Sequence, residues 1–121
     1  MKGIKLDAAD IAFSIYIRKR DRHCVRCYRQ GSGKDGIVGL QCSHYFGRGR
    51  ENTRYDPENA DSLCFGCHKI WGSDDKEGYR EFKIRQLGEE GFKLLMVRAN
   101  TYKKKDRYMS LLESKELLKT L

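Results

Sequence analysis

The spacing of hydrophobic positions changes several times along the chain. Leu6, Ala9, Phe13, Tyr16 and Ile17 recur at three and four, the helical spacing, whereas Ile11, Phe13, Ile15 and Ile17 alternate as in a strand. Asp7 as an N-cap, with Ala8 and Ala9 behind it, decides for a helix from Asp7 to Arg20. Residues 31–36 read Gly-Ser-Gly-Lys-Asp-Gly, which is turn chemistry. Ile37 to Phe46 predicts a strand with Val38, Leu40 and Cys42 on one face. Gly47 to Asn59 is polar and predicts a loop, closed by Asp56-Pro57-Glu58-Asn59. Ala60 to Phe65 predicts a short second strand, and His68 to Trp71 the start of a helix interrupted near Gly72-Ser73.

The remainder has a helical period. Lys76 to Leu87 carries Tyr79, Phe82 and Leu87 before Gly88. Glu89 to Ala99 carries Phe92, Leu94, Leu95, Met96 and Val97, with two acidic residues in the first turn, where they suit the helix dipole. After the basic joint Lys103–Lys105, Asp106 to Lys119 carries Tyr108, Leu111, Leu112, Leu117 and Leu118. The expected fold is a single α+β domain over 1–121. It has an N-terminal helix in 1–22, a small cysteine-rich ββα core in 23–75, and a C-terminal extension of two to three helices in 76–121.

Composition narrows the function classes. A chain of 121 residues with 39% hydrophobic and 35% charged residues can bury a modest core, and a staple helps at this size. The net charge is +8, divided as 12 − 7 = +5 over residues 1–60 and 13 − 10 = +3 over 61–121. A basic excess spread over a folded domain makes nucleic acid the first partner class to expect. No run of 18 apolar residues exists, so neither a transmembrane helix nor a membrane partner is expected. Ile11 to Ile17 is broken by Ser14 and runs into Arg18-Lys19-Arg20, unlike a signal peptide. The expected location is the reducing cytoplasm, where five cysteines are metal ligands or free thiols and not disulfides.

Cys24-Val-Arg-Cys27 and Cys64-Phe-Gly-Cys67 are two CxxC pairs separated by 36 residues (28–63). Four thiolates satisfy tetrahedral Zn²⁺ and leave it no open position, so the expected zinc is structural and any chemistry lies elsewhere. Ile37 to Asn59 then forms an insertion between the two pairs. Cys42 reads either as a small buried hydrophobe or as a metal ligand beside His44. The three histidines are His23, His44 and His68, and His23 has no placed partner.

His44, Asn59 and His68 within the Cys24/Cys27/Cys64/Cys67 frame resemble the HNH endonucleases, whose core is the ββα-metal, treble-clef-like fold. The likeness spans about residues 10–95 and is greatest to the phage NinG/Rap-type recombination nucleases. It is carried also by Ile17-Arg18-Lys19-Arg20-Asp21, His44-Tyr45, Arg54-Tyr55-Asp56-Pro57-Glu58-Asn59 and Tyr79-Arg80. The resemblance implies metal-dependent hydrolysis of DNA phosphodiester bonds. In it His44 is the general base, Asn59 orients the base or its loop, and His68 holds a catalytic Mg²⁺ or Mn²⁺. Ser43 stands where most members carry another ligand before the base, and Gly72 where many carry a second histidine. Asn59, Asp56, Asp61 or Cys42 would then complete the shell. Asn59 can equally be a cap or turn residue after Pro57.

Arg48, Arg50 and Arg54, between base and asparagine, are expected to contact DNA phosphates. Lys103, Lys104, Lys105 and Arg107 form a second cluster, either a solvated joint or a further phosphate contact. A catalytically inactive zinc-stabilised module that binds nucleic acid is the alternative. The apolar C-terminal helices also admit a homodimer.

Overall fold

Asp7 closes the first helix as the pattern predicts. In the computed structural model, which describes residues 5–121, its carboxylate accepts from the Asp10 N–H at 3.0 Å while Asp10 accepts from the Asp7 N–H at 2.9 Å. This reciprocal cap starts α1 (Ala8–Asp21). Ala9, Ala12, Phe13, Tyr16 and Ile17 are buried, whereas Ile11 of the alternating set is exposed. The helical period wins because only that face has a partner.

The core behind α1 is a two-stranded antiparallel sheet of β1 (Leu40–His44) and β2 (Ala60–Cys64), with Cys42 opposite Ser62 and His44 opposite Ala60. Two clusters flank it. Phe13, Tyr16, Ile17, Cys42 and Ala60 form one, and Cys24, Leu40, Leu63, Cys64, Cys67, Trp71 and Tyr79 the other. β1 is shorter than the predicted Ile37–Phe46 strand. Gly39 turns the backbone with φ of 89°, and Val38 pairs with Ser32 in a separate bridge. Val38 is therefore exposed and does not share the buried face of Leu40 and Cys42.

The segment read as a loop contains two short helices. These are α2 (Glu51–Arg54) and a 3₁₀ turn (Pro57–Asn59) that Asp56 caps by accepting from the Glu58 N–H at 2.9 Å. Four residues are too few to display a helical period, so the pattern could not reveal α2. α3 (Phe65–Lys69) follows β2 directly and runs into a π-helical turn (Ile70–Asp74) at the predicted interruption.

α4 (Lys76–Ala99) starts at Asp75, which accepts from the Gly78 N–H, and is divided at Gly88, where φ is 78° and ψ is 164°. Its first half is anchored by Asp61, wholly buried in β2. Asp61 accepts from the Tyr79 hydroxyl at 2.9 Å, Lys83 Nζ at 3.0 Å and Gln86 Nε2 at 3.1 Å. Burial pulls the Lys83 ammonium below its usual range, against the opposing pull of Asp61. α5 (Arg107–Leu118), capped by Asp106, packs along α1. Its fully enclosed positions are Ser110 and Ser114, one turn apart, which let two helices approach closely. Leu117 and Leu118 border the Phe13 cluster, while Tyr108 and Leu112 face outward.

Candidate metal centre and histidine cleft

Both CxxC pairs meet although 36 residues separate them in sequence. The ligand atoms of Cys24, Cys27, Cys64 and Cys67 all lie within 4.8 Å of one another, and this is the one such cluster among the described residues. Cys27 and Cys64 Sγ are 3.8 Å apart, which matches the ~3.8 Å edge of a tetrahedron with ~2.3 Å metal–sulfur bonds. The first pair follows α1 through Arg22, and the second spans the end of β2 and the start of α3. Burial raises the Cys24 thiol, but the N–H groups of Cys27, Cys64 and Arg26 outweigh it and bring Cys24 down to about 7. Arg26 Nη1 donates to Cys67 Sγ at 3.3 Å and offsets the excess negative charge of a four-thiolate site. The cluster can thus hold a tetrahedral metal such as zinc and tie α1, the sheet and α3 at one point.

A cleft of ≈ 330 Å³ lies beside the sheet, with His44, Tyr45, His68, Trp71, Lys76 and Tyr79 on its wall. His44 ends β1. Its Nε2 is 2.8 Å from the Arg54 carbonyl, which can only accept, so Nε2 carries the proton. Nδ1 is buried and has no partner. Burial first, and the Arg48 charge second, pull His44 from 6.5 down to about 4. The same two causes lower His68. His68 Nδ1 is 2.7 Å from Gln41 Oε1, which makes Nδ1 the donor and leaves the Nε2 lone pair free. Both imidazoles are therefore neutral at pH 7. No aspartate or glutamate lines the cleft among the described residues. Lys76 was not singled out by its sequence context, since Asp74, Asp75 and Glu77 surround it there. It follows the π-helical turn and lines the same cleft as the two histidines.

Asn59 is buried away from the ligand space. Its Nδ2 donates to the Phe46 and Thr53 carbonyls at 2.9 and 3.0 Å, and its Oδ1 accepts from the Phe46 N–H at 2.9 Å. It ties the loop after β1 to α2, and so fixes the carbonyl that grips His44. Asn59 both ends the 3₁₀ turn, as one sequence reading has it, and holds the loop through these bonds.

The other residues considered for a metal shell are occupied. Asp56 accepts from Arg98 at 2.8 Å besides capping the 3₁₀ turn. Asp61 serves Tyr79, Lys83 and Gln86. Cys42 packs against α1, and burial holds its thiol protonated, pushed up to about 12. The alternative of Cys42 as a ligand beside His44 is thereby corrected to the buried hydrophobe.

The three arginines part ways. Arg54 is 4% exposed and forms a forked pair with Asp10, Nε to Oδ1 at 2.9 Å and Nη2 to Oδ2 at 2.6 Å. The expectation that Arg54 contacts DNA is overturned, because the α1–α2 ion pair consumes its guanidinium. Arg50 is exposed, lies over the Phe46 ring and donates to Asn100. Arg48 is half-buried, its Nε has no hydrogen-bond partner, and its charge reaches both histidines. Arg107, of the second basic cluster, pairs with Asp7 and Glu51. His23 stacks on Tyr28. Compared with models of known families, with characterised proteins and with solved structures, the chain has no match.

Proposed function

We propose that this protein is a metal-dependent DNA endonuclease of the HNH type, with His44 as general base and a structural zinc on the four cysteines. The observation that carries the reading is the state of His44. Its Nε2–H is held by the Arg54 carbonyl, which leaves Nδ1 deprotonated and unpartnered. Such a nitrogen, enclosed in the free protein, can take the proton of a water attacking phosphorus once substrate binding brings that water against it. Asn59 keeps the gripping loop in place. His68, oriented by Gln41, keeps Nε2 for a divalent ion, the outer-shell arrangement that metal-binding histidines commonly have. Mg²⁺ or Mn²⁺ bound there would stabilise charge on the phosphate and the leaving oxygen. Arg48 and Lys76 give the cleft a positive field for a phosphodiester. A phosphate beside the His44 ring would offset the Arg48 charge, the second cause of its lowered basicity.

A second reading, a zinc-stabilised module that binds nucleic acid without cutting it, draws on two observations. The cleft has no carboxylate, and His44 is a weak base at about 4. A supercoiled-plasmid assay in EDTA, Mg²⁺ and Mn²⁺, run beside His44→Ala, separates the two. The nuclease reading expects metal-dependent conversion to open-circle or linear DNA, reduced ~10²–10⁴-fold in the variant. Binding with no cleavage in any metal selects the module.

A further inference from the structure

The turn at the first cysteine pair carries a feature that the cleft does not use. Among the described residues, the only non-glycines with positive φ are Arg22 at 60° and Tyr28 at 66°, and they flank Cys24–Cys27. Arg22 closes α1, with its N–H on the Arg18 carbonyl. Tyr28 has no such helix end to explain it. The Tyr28 N–H reaches the Cys24 carbonyl at 2.8 Å, and the left-handed turn at residue 28 then sends the chain back so that the Arg29 carbonyl meets the Cys24 N–H. Glycine adopts that region freely, whereas a tyrosine is strained there. The ring is 72% exposed, so core packing does not account for it. It stacks on His23 with ring centroids 5.7 Å apart and planes 15° apart. The pair stands on a tied strap. His23 bridges to Gln30, Cys24 N–H bonds the Arg29 carbonyl at 2.8 Å, and Gly31 N–H bonds the Arg22 carbonyl at 3.0 Å. The exposed Arg22 and Arg29 belong to the same strap. The nearest acid before it, Asp21, is engaged by Arg20 and the Ser62 N–H.

We infer that Tyr28, backed by His23 and flanked by Arg22 and Arg29, is a stacking platform for an unpaired base of single-stranded DNA. An exposed aromatic face, stacked on a second ring and carried on a tied strap with two exposed arginines, fits a base and its phosphates. A paired base inside a duplex has both faces covered by its neighbours and cannot meet the ring. The inference rests on the nucleic-acid part of the proposed function and is independent of catalysis.

Tyr28→Gly gives a clean test, because glycine suits the backbone better than tyrosine and the fold is retained. Fluorescence anisotropy would compare the full chain with its cysteine-bound metal, without added Mg²⁺ or Mn²⁺, on a labelled dT 12-mer, an abasic 12-mer and a 12-bp duplex. The expected result is ~5- to 150-fold weaker binding of the dT 12-mer by Tyr28→Gly, the loss typical of one stacked base. Duplex and abasic binding should stay unchanged, the thermal midpoint should be equal or higher, and Tyr28→Trp should restore affinity. Equal dT affinity in wild type and Tyr28→Gly, with duplex binding intact, overturns the platform and leaves the functional proposal standing. Wild type that binds none of the three probes overturns both.

Discussion

At the scale of single residues, burial decides which charges survive. Burial pushes the Asp10 carboxyl upward, but the Arg54 fork outweighs it and holds Asp10 at about 2. Its folded value lies below the ordinary 3.8, so the stabilisation is present above that pH and is lost as pH falls from about 4 to about 2. Removing Arg54 leaves the buried carboxylate with only the more distant Arg48 charge, 3.9 Å away. Arg54→Ala is expected to cost ~3–5 kcal/mol in urea denaturation, far more than loss of a surface DNA contact would. His44 has the opposite chemistry. Below pH 6.5 the unfolded chain takes up the proton first, while the folded ring stays neutral until about 4. Stability therefore falls with pH across that window. His44→Gln should flatten the dependence between pH 6.5 and 4. Urea midpoints of variant and wild type that fall in parallel would show that the ring is not held neutral.

At the scale of elements, short-range signals were sufficient wherever a helix carried its own cap. Asp7, Asp75 and Asp106 each start a helix at the expected place, since a carboxylate on the first free N–H groups needs no tertiary partner. Gly88 likewise marks a real break. Its φ and ψ lie in a region that is almost exclusive to glycine. Gly88→Ala is expected to cost ~1–3 kcal/mol, read as a lower urea midpoint at unchanged slope. The β1 boundary was not legible, because alternation continues through Val38 while the backbone turns at Gly39. The inward face of α5 was not legible either. The leucines of α5 drew attention as an apolar face for a second copy, yet Leu117 and Leu118 pack against the α1 cluster and the fully enclosed positions are Ser110 and Ser114. A second copy on the outward Tyr108 and Leu112 remains a proposal for sedimentation to test.

At the scale of the whole molecule, one cluster of four cysteines ties much of the architecture together. Two small clusters and a two-stranded sheet are a thin core for a chain of this charge. The four cysteines join α1, β2 and α3 across it. A structural zinc in such a site contributes ~10–16 kcal/mol of binding free energy that is also folding free energy. Purified protein should contain one zinc per chain by elemental analysis. A strong chelator should unfold it, with loss of the far-ultraviolet dichroism of α1 and α4. Native dichroism retained after complete metal removal would refute this role.

The amino-acid sequence by itself determined the α+β class, the capped helices, the four-cysteine set and the basic charge. Each of these follows from residue type and local spacing. Tertiary structure alone decided what the polar residues do. It withdrew Arg54, Asp56 and Asp61 from the surface or the metal shell by pairing them with partners 44, 42 and 18 to 25 positions away. It placed Lys76 in the wall of the histidine cleft and stood Tyr28 on an exposed strap. A charge or ring has no fixed role in one dimension, because its energy depends on which partner reaches it and how much water is excluded, and only the folded chain sets both.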